Sequence, residues 1–303
     1  MEIKKCLVLG GAGFIGMNIV NKLSIKENYN ITIADNFSRG KKDEYLNSLI
    51  KKINIKLISS DFTDPCSFDK LDTDYDYVYM LASVVGVEYT QKIPNEIIRI
   101  NTALIFNTLE WIKNTDCKKI LFTSTSECYA GTIEAFNYKI PTDETVPLSI
   151  KDITHPRFTY AVTKMLGESG FINYSKIYGF ESTIIRYHNV YGPRMGFKHV
   201  IPQVVQRFLK KEEPFKVFGY NQTRSFNYID DAVLGTIGAM ESNMLKENVE
   251  NLDKMIDNLP SKNIIQPQDL SEFIYDYHSN HKKVLNCSVL NIDNGITLKL
   301  SGD

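Results

Sequence analysis

Apolar residues in the first half of the chain gather in short, nearly unbroken runs separated by longer stretches in which they recur at helical spacing. The short runs are Cys6–Leu9, Ile31–Ala34, Ile55–Ile58, Tyr77–Leu81, Lys119–Thr123 and Ser182–Arg186. They show little polar alternation, the pattern of strands covered on both faces. Between them Phe14–Leu23, Glu44–Lys52, roughly 96–113 and roughly 157–178 read as helices. The third carries Ile97, Ile100, Leu104 and Phe106 beside Leu109 at helical spacing. Strand–helix alternation of this kind predicts an α/β fold, a doubly wound parallel sheet. Beyond Tyr191 the pattern changes. Gly192-Pro193-Arg194 breaks the chain and shorter irregular segments follow. We therefore expect a main domain over 1–190 and a small second lobe over 191–303, interleaved with the first and atypical after about 242. Within that stretch Leu245, Val249, Leu252, Ile256 and Leu259 fall on one face of an expected amphipathic helix.

Composition narrows the classes. An apolar share of 43% in 303 residues is enough for a buried core. The net charge is −1 and no run of Lys and Arg offers a surface to nucleic acid or an anionic membrane. No stretch approaches the roughly 20 apolar residues that span a bilayer. The five cysteines form no C-x-x-C pair. Reduced thiols in a cytoplasmic protein, with no metal site, are the expectation.

The first strand runs into Gly10-Gly-Ala-Gly13-Phe-Ile-Gly16, which opens the first helix. Gly10 permits the tight turn, Gly13 lets the backbone approach a pyrophosphate at the helix N-terminus, and Gly16 lets helix and strand pack closely. A glycine fingerprint alone is a weak signal. Here Asp35 ends the second strand 19 positions after Gly16, where a carboxylate accepts from the adenosine ribose and repels a 2′-phosphate. That favours NAD over NADP, with Arg39 as a complication, because a guanidinium there receives the extra phosphate of NADP. Asp61 and Phe62 end the third strand beside the expected adenine edge; a turn cap is the structural alternative for Asp61. Leu81-Ala82-Ser83 ends the fourth, small enough to let a dinucleotide cross the sheet edge.

Tyr160 and Lys164 stand four apart on the long helix and project from one face. An ammonium at that distance is expected to lower the phenol's pKa and make Tyr160 a general base or acid near neutral pH. The hydroxyl cluster Ser124-Thr125-Ser126 ends the fifth strand, with Glu127 next to it.

With these residues in this order the chain resembles the extended short-chain dehydrogenase/reductases, the group of NAD-dependent nucleotide-sugar epimerases and dehydratases. The matching pieces are Gly10–Gly16, Asp35, Asp61, Ser124–Tyr129, Tyr160–Lys164, Arg186–Arg194 and Arg224–Asp231. They cover roughly residues 1–240. The resemblance implies a Rossmann fold, NAD as cofactor, a nucleotide-diphosphate sugar as substrate, and a homodimer paired through the 96–113 and 157–178 helices. It implies that Gly10, Gly13, Phe14, Ile15, Gly16, Asp35, Asn36, Asp61, Phe62, Leu81, Ala82, Ser83, Tyr160 and Lys164 line the cofactor. Thr125 falls at the hydroxyl that contacts the sugar 4-hydroxyl, Tyr160 at the base that removes its proton while C4 gives hydride to the nicotinamide, and Lys164 at the ribose. Ser126 falls among the substrate contacts, Asn189 at the diphosphate, Arg224 at the same diphosphate or, as in the decarboxylases, near the reacting sugar, and Val200 and Phe218 at the base pocket, Phe218 being equally readable as a core aromatic.

The tripeptide Thr125-Ser126-Glu127 departs from the Thr-Asp-Glu of the 4,6-dehydratases and is similar to UDP-glucuronate decarboxylases, as is the Arg157-Phe-Thr-Tyr160 lead-in to related decarboxylase domains. Glu127 is expected to act on the sugar C5 or, alternatively, to cap or pair structurally. The absence of an Asp beside it favours a 4-epimerase or an enzyme that oxidises C4. Decarboxylation and 4,6-dehydration are the alternatives, and an NAD-sensing or scaffold role is the non-enzymatic one. Only eight residues follow Gly295, where the family continues further, so the C-terminal substrate lobe is expected to be shortened.

Overall fold

The computed structural model describes residues 2–215, 223–242, 287–292 and 296–299. The helix expected over Leu245–Leu259, the length of the second lobe and Phe218 lie outside them.

Strands β1 (Lys4–Leu9), β2 (Tyr29–Asp35), β3 (Ile55–Ser59), β4 (Tyr77–Met80), β5 (Lys119–Thr125), β6 (Glu181–Tyr187) and β9 (Cys287–Ile292) form one parallel sheet in the order β3-β2-β1-β4-β5-β6-β9. Helices α1 (Phe14–Ser24), α2 (Glu44–Leu49), α3 (Val87–Lys92), α4 (Pro94–Ile112), α5 (Glu127–Phe136), α6 (Phe158–Tyr178), α7 (Val200–Leu209) and α8 (Ile229–Glu241) complete the main elements. A small second sheet joins β7 (Asn189–Tyr191), β8 (Thr223–Tyr228) and β10 (Ile296–Lys299) in the order β10-β8-β7.

Alternation along each strand sends successive side chains to opposite faces. In β1, Cys6 and Val8 enter the core under α1 and α8, while Leu7 and Leu9 enter the core under α4 and α6. Both faces are apolar, and that is why the strands read as unbroken runs. α4 begins with Pro94 at its first turn, where a missing N–H costs no hydrogen bond. It buries Ile97, Leu104, Leu109 and Ile112 but leaves Phe106 43% exposed, so Phe106 is not part of the inward stripe. α6 lies beside α4 and stops at Gly179 in the left-handed region.

The strand order places the reversal of winding between β1 and β4. In open parallel sheets ligands bind at that switch point, outside the carboxyl ends of the strands. The turns after β1, β2, β4 and β5 all open there. No helix among the described residues is long and apolar enough to cross a membrane.

Candidate active site

At the end of β1 the backbone turns at Gly10 with φ of +82°, and a Cβ there would lie 2.7 Å from the amide nitrogen of Ala82. A Cβ on Gly16 would collide with the carbonyl of Gly10. Only glycine lets β1, α1 and the β4 turn meet this closely. Gly13 is the N-cap of α1 and no side chain caps the helix, so its first N–H groups are open to an anion. Phe14 and Ile15 form the first turn. This uncapped, side-chain-free cradle fits a dinucleotide pyrophosphate.

Asp35 is buried and already engaged. Its Oδ2 accepts from Ala12 N at 3.0 Å and its Oδ1 from Phe37 N at 2.7 Å. Burial pushes its carboxyl above the usual range, against the pull of the two amides. Each oxygen keeps a lone pair for a ribose hydroxyl. The guanidinium of Arg39 reaches across to the turn after β4 and donates to Val85 O at 3.0 Å. Asn36 accepts from Ser38 N at 3.0 Å, and Asp61 accepts from the amide and hydroxyl of Thr63 at 3.0 and 2.9 Å, the geometry of a turn cap. Phe62 packs edge-on against Phe68 at 5.0 Å, so its ring belongs to the core.

Tyr160 and Lys164 lie one turn apart near the start of α6, with the ammonium 5.7 Å from the phenol ring centroid. Lys164 is 3% exposed; its ammonium donates to Thr123 O at 2.7 Å and lies 4.8 Å from the centroid of the Phe122 ring. One of its three protons is thereby used. Burial pushes Lys164 down to about 8. Burial also raises Tyr160, and this corrects the sequence-based expectation of a phenol made acidic by Lys164. The groups that oppose the rise are the Arg39 charge and a hydrogen bond from Ser83. Desolvation outweighs both, because it acts on the whole phenolate.

Thr125 closes β5, and its hydroxyl accepts from Glu127 N at 3.3 Å. Ser126 is the N-cap of α5 and donates its amide to Tyr187 O at 3.0 Å. Glu127 opens α5, is partly exposed, and lies within electrostatic reach of Tyr160. Its carboxylate pairs loosely with Arg157 at 3.4 Å, and Arg157 binds Glu134 more closely at 2.6 Å. Thr125, Tyr160, Lys164, Glu127 and Ser83 thus gather at one end of the sheet. Farther out, Asn189 donates to Ser225 O at 2.8 Å at the start of β7, and the backbone of Arg224 pairs with Leu298 in the second sheet. Val200 begins α7 and is 51% exposed.

Two residues that shape the site, Asn101 and Glu168, carry no motif in the sequence. Asn101, buried in α4, accepts from Val84 N at 2.8 Å and Ser83 Oγ at 3.2 Å and donates to Thr163 Oγ1 at 3.3 Å. It pins the Ser83 turn to α6. An asparagine inside an apolar helical stripe is the one signal that points to it. Glu168 and Arg186 form a buried bidentate pair, and Ser124 donates to the same carboxylate.

A family model for the NAD dependent epimerase/dehydratase family matches residues 6–252. A UDP-N-acetyl-alpha-D-glucosaminuronate decarboxylase of Bacillus cytotoxicus is 32% identical over 285 residues, 93% of this chain and 83% of that protein. A putative UDP-glucose 4-epimerase of Methanocaldococcus jannaschii is 33% identical over 237 residues, 77% of this chain and 72% of that protein. In fold, the chain is similar to a UDP-glucuronic acid 4-epimerase of Bacillus cereus solved with UDP-glucuronic acid and NAD. The TM-score is 0.73 at 24% identity, covering 98% of this chain and 79% of that one. The strand order, the glycine cradle and these matches agree: the chain belongs to the NAD-dependent epimerase/dehydratase family.

Proposed function

We propose that the chain oxidises the C4 hydroxyl of a nucleotide-diphosphate sugar, giving a 4-keto sugar as intermediate or product. The observation that carries this reading is the meeting of a phenol, a buried ammonium and a strand-end hydroxyl (Tyr160, Lys164 and Thr125) beside a cradle that fits a dinucleotide. NAD, held in that cradle, supplies the oxidant. Thr125 holds the sugar hydroxyl, and Tyr160 in its ionised form takes its proton as general base. Ser83 and the charge of Arg39 ease ionisation of a phenol that burial alone would keep protonated. Lys164 keeps two donors for the ribose after serving Thr123.

In this reading Glu127, next to Thr125, is the carboxylate that would act on C5. A 4-epimerase needs only that the ketone take back hydrogen on its other face. In a sugar with a carboxylate on C5, a C4 ketone is β to that carboxylate and eases loss of CO₂. We favour 4-epimerisation or simple oxidation, because no aspartate accompanies Glu127. Decarboxylation is the second reading, supported by the match to a uronate decarboxylase over 93% of the chain. Asn189 and Arg224 serve the substrate diphosphate in this reading, with Val200 and Phe218 around the base. The exposed apolar side chains of α4 and α6, among them Ile98, Phe106 and Leu166, support pairing of two copies through these helices. Unpaired cysteines at 6, 66, 117 and 128 suit a cytoplasmic setting.

The test is to incubate the purified protein and NAD with neutral and uronic nucleotide sugars and read products by mass spectrometry. Conversion to a 4-epimer, a 4-keto sugar or a decarboxylated sugar supports the reading. NAD binding without conversion of any of them replaces it with an NAD-sensing or scaffold role.

A further inference from the structure

Tyr160, Lys164 and Glu168 recur at four-residue intervals and form one stripe along α6. The first two face the site. The third faces inward, where its carboxylate is bound on three sides. Arg186 Nε donates to Oε1 at 2.9 Å and Nη2 to Oε2 at 2.6 Å, and Ser124 donates to Oε1 as well. Arg186 Nη1 extends the network to Tyr129 OH at 2.9 Å and to Glu144 O at 3.0 Å. The two side chains of the ion pair are 5% and 6% exposed. This one carboxylate therefore joins α6, which carries Tyr160 and Lys164, to β5, which carries Thr125. Through Arg186 it also reaches β6 and α5, the helix that carries Glu127.

We propose that Glu168, fixed by Arg186 and Ser124 one helical turn from the buried ammonium of Lys164, is a positioning residue that holds Lys164 charged and in register with Tyr160 and Thr125. This rests on the proposed function only in giving Lys164 a task. The ammonium faces few other charges. From α6 it faces the Tyr160 phenol and, one turn further on, lies within electrostatic reach of Glu168. From β5 it meets the Thr123 carbonyl and the Phe122 ring, and from α5 the Cys128 thiol. Arg186 on β6 acts on it through the Glu168 carboxylate. Burial pushes Cys128 up to about 12, so at neutral pH the thiol carries no charge. Glu168 is then the one anion that favours the charged lysine, against the burial that drives it down to about 8. A carboxylate wholly neutralised by Arg186 would do less. Arg186 offsets part of the carboxylate's charge, so Glu168 and Arg186 have opposite effects on Lys164.

The experiment follows Lys164 by ¹³C NMR of lysine-labelled protein, with the resonance assigned by its loss in Lys164→Met. It needs no sugar substrate, so a failed substrate panel and a failed positioning role are told apart. In Glu168→Gln the titration midpoint of Lys164 moves to lower pH, and the alkaline limb of NAD affinity moves with it. In Arg186→Met the midpoint moves to higher pH, because the carboxylate is released to the ammonium. Glu168→Asp keeps the charge and returns the midpoint toward that of the unmodified protein, though the protein melts earlier. Folded Glu168→Gln or Arg186→Met protein with the original midpoint overturns the proposal. Failure of both to fold also overturns it, since the pair would then be a structural ion pair alone.

Discussion

The carboxylate of Asp35 accepts the main-chain amide of Ala12 at 3.0 Å, so the residue that ends β2 holds the glycine turn that ends β1. Asp35 therefore fixes the cradle, and in the proposed function it also faces the adenosine ribose. Asp35→Ala should weaken NAD binding by about tenfold or more, the effect of losing a charge-assisted hydrogen bond of about 1.5 kcal/mol or above. NADP should lose less, because repulsion of its 2′-phosphate disappears, so discrimination narrows. Calorimetric titration of both cofactors checks this. Tighter binding of NADP than NAD by the unmodified protein would contradict the role given to Asp35.

Tyr160→Phe keeps the ring and removes the hydroxyl that Ser83 meets. Turnover should fall by about 10²–10⁴-fold, the range for loss of a general base, with NAD affinity preserved. Near-normal turnover would sink the acid–base assignment.

Glu127 separates the reaction classes. It is 44% exposed and its pairing with Arg157 is loose, so Glu127→Gln should fold. In a simple epimerase or oxidase, turnover should change by less than about tenfold, roughly 1.4 kcal/mol of barrier. In a decarboxylase or dehydratase the variant should reduce NAD and stall, accumulating a 4-keto sugar. Rapid-quench mass spectrometry distinguishes the two. An unfolded variant would instead make Glu127 a structural partner of Arg157.

Pairing of two copies is tested on α4. Light scattering at micromolar concentration should give twice the 34.6 kDa of one chain. Phe106→Glu, which places a charge at a side chain 43% exposed in the single chain, should return the mass to that of a monomer. A monomer before substitution would refute the pairing.

Lys119 opens β5 with a buried ammonium that donates to Ser242 O at 2.7 Å and Ala239 O at 3.0 Å, closing the C-terminal end of α8. Lys119→Met leaves both carbonyls without that donor and should destabilise the fold by about 1–3 kcal/mol in chemical denaturation. Burial pushes Lys119 down to about 8, below the roughly 10.4 of an unfolded chain. Between these values the unfolded state binds more protons, so the group's contribution to stability rises with pH and is lost again as pH drops through about 8. The variant should lack that rise. Parallel stability curves for the two proteins across this window would remove the assignment.

Features carried by near neighbours in the chain are legible in the sequence. Unbroken apolar runs announce β1 to β6 because both sheet faces are covered. The stripe of Tyr160 and Lys164 is a property of one helix, and the glycine cradle is a property of seven consecutive residues. Two helices lack such a signal for equally local reasons. α5 starts immediately after β5 and buries Cys128, Tyr129, Gly131 and Thr132, which form no apolar stripe. α8 buries Gly235 and Thr236 among its apolar residues and is covered nearly all round, so it lacks a contrasting polar face.

The sequence by itself determined the fold class, the glycine turn between β1 and α1 and the residue types gathered at the sheet's carboxyl edge, because these follow from periodicity and short spacings. Tertiary structure alone decided what each side chain faces. Only it shows Asp35 bound to the glycine turn, Arg39 turned to Val85, Asn101 holding Ser83, and Glu168 joined to Arg186 and Ser124. It also decided the acidity of Tyr160, whose phenol is governed by burial before any neighbouring charge. The physical reason is common to all of these: hydrogen-bond partners and desolvation depend on which distant segments close over a group, and that closure is a property of the packed sheet and helices.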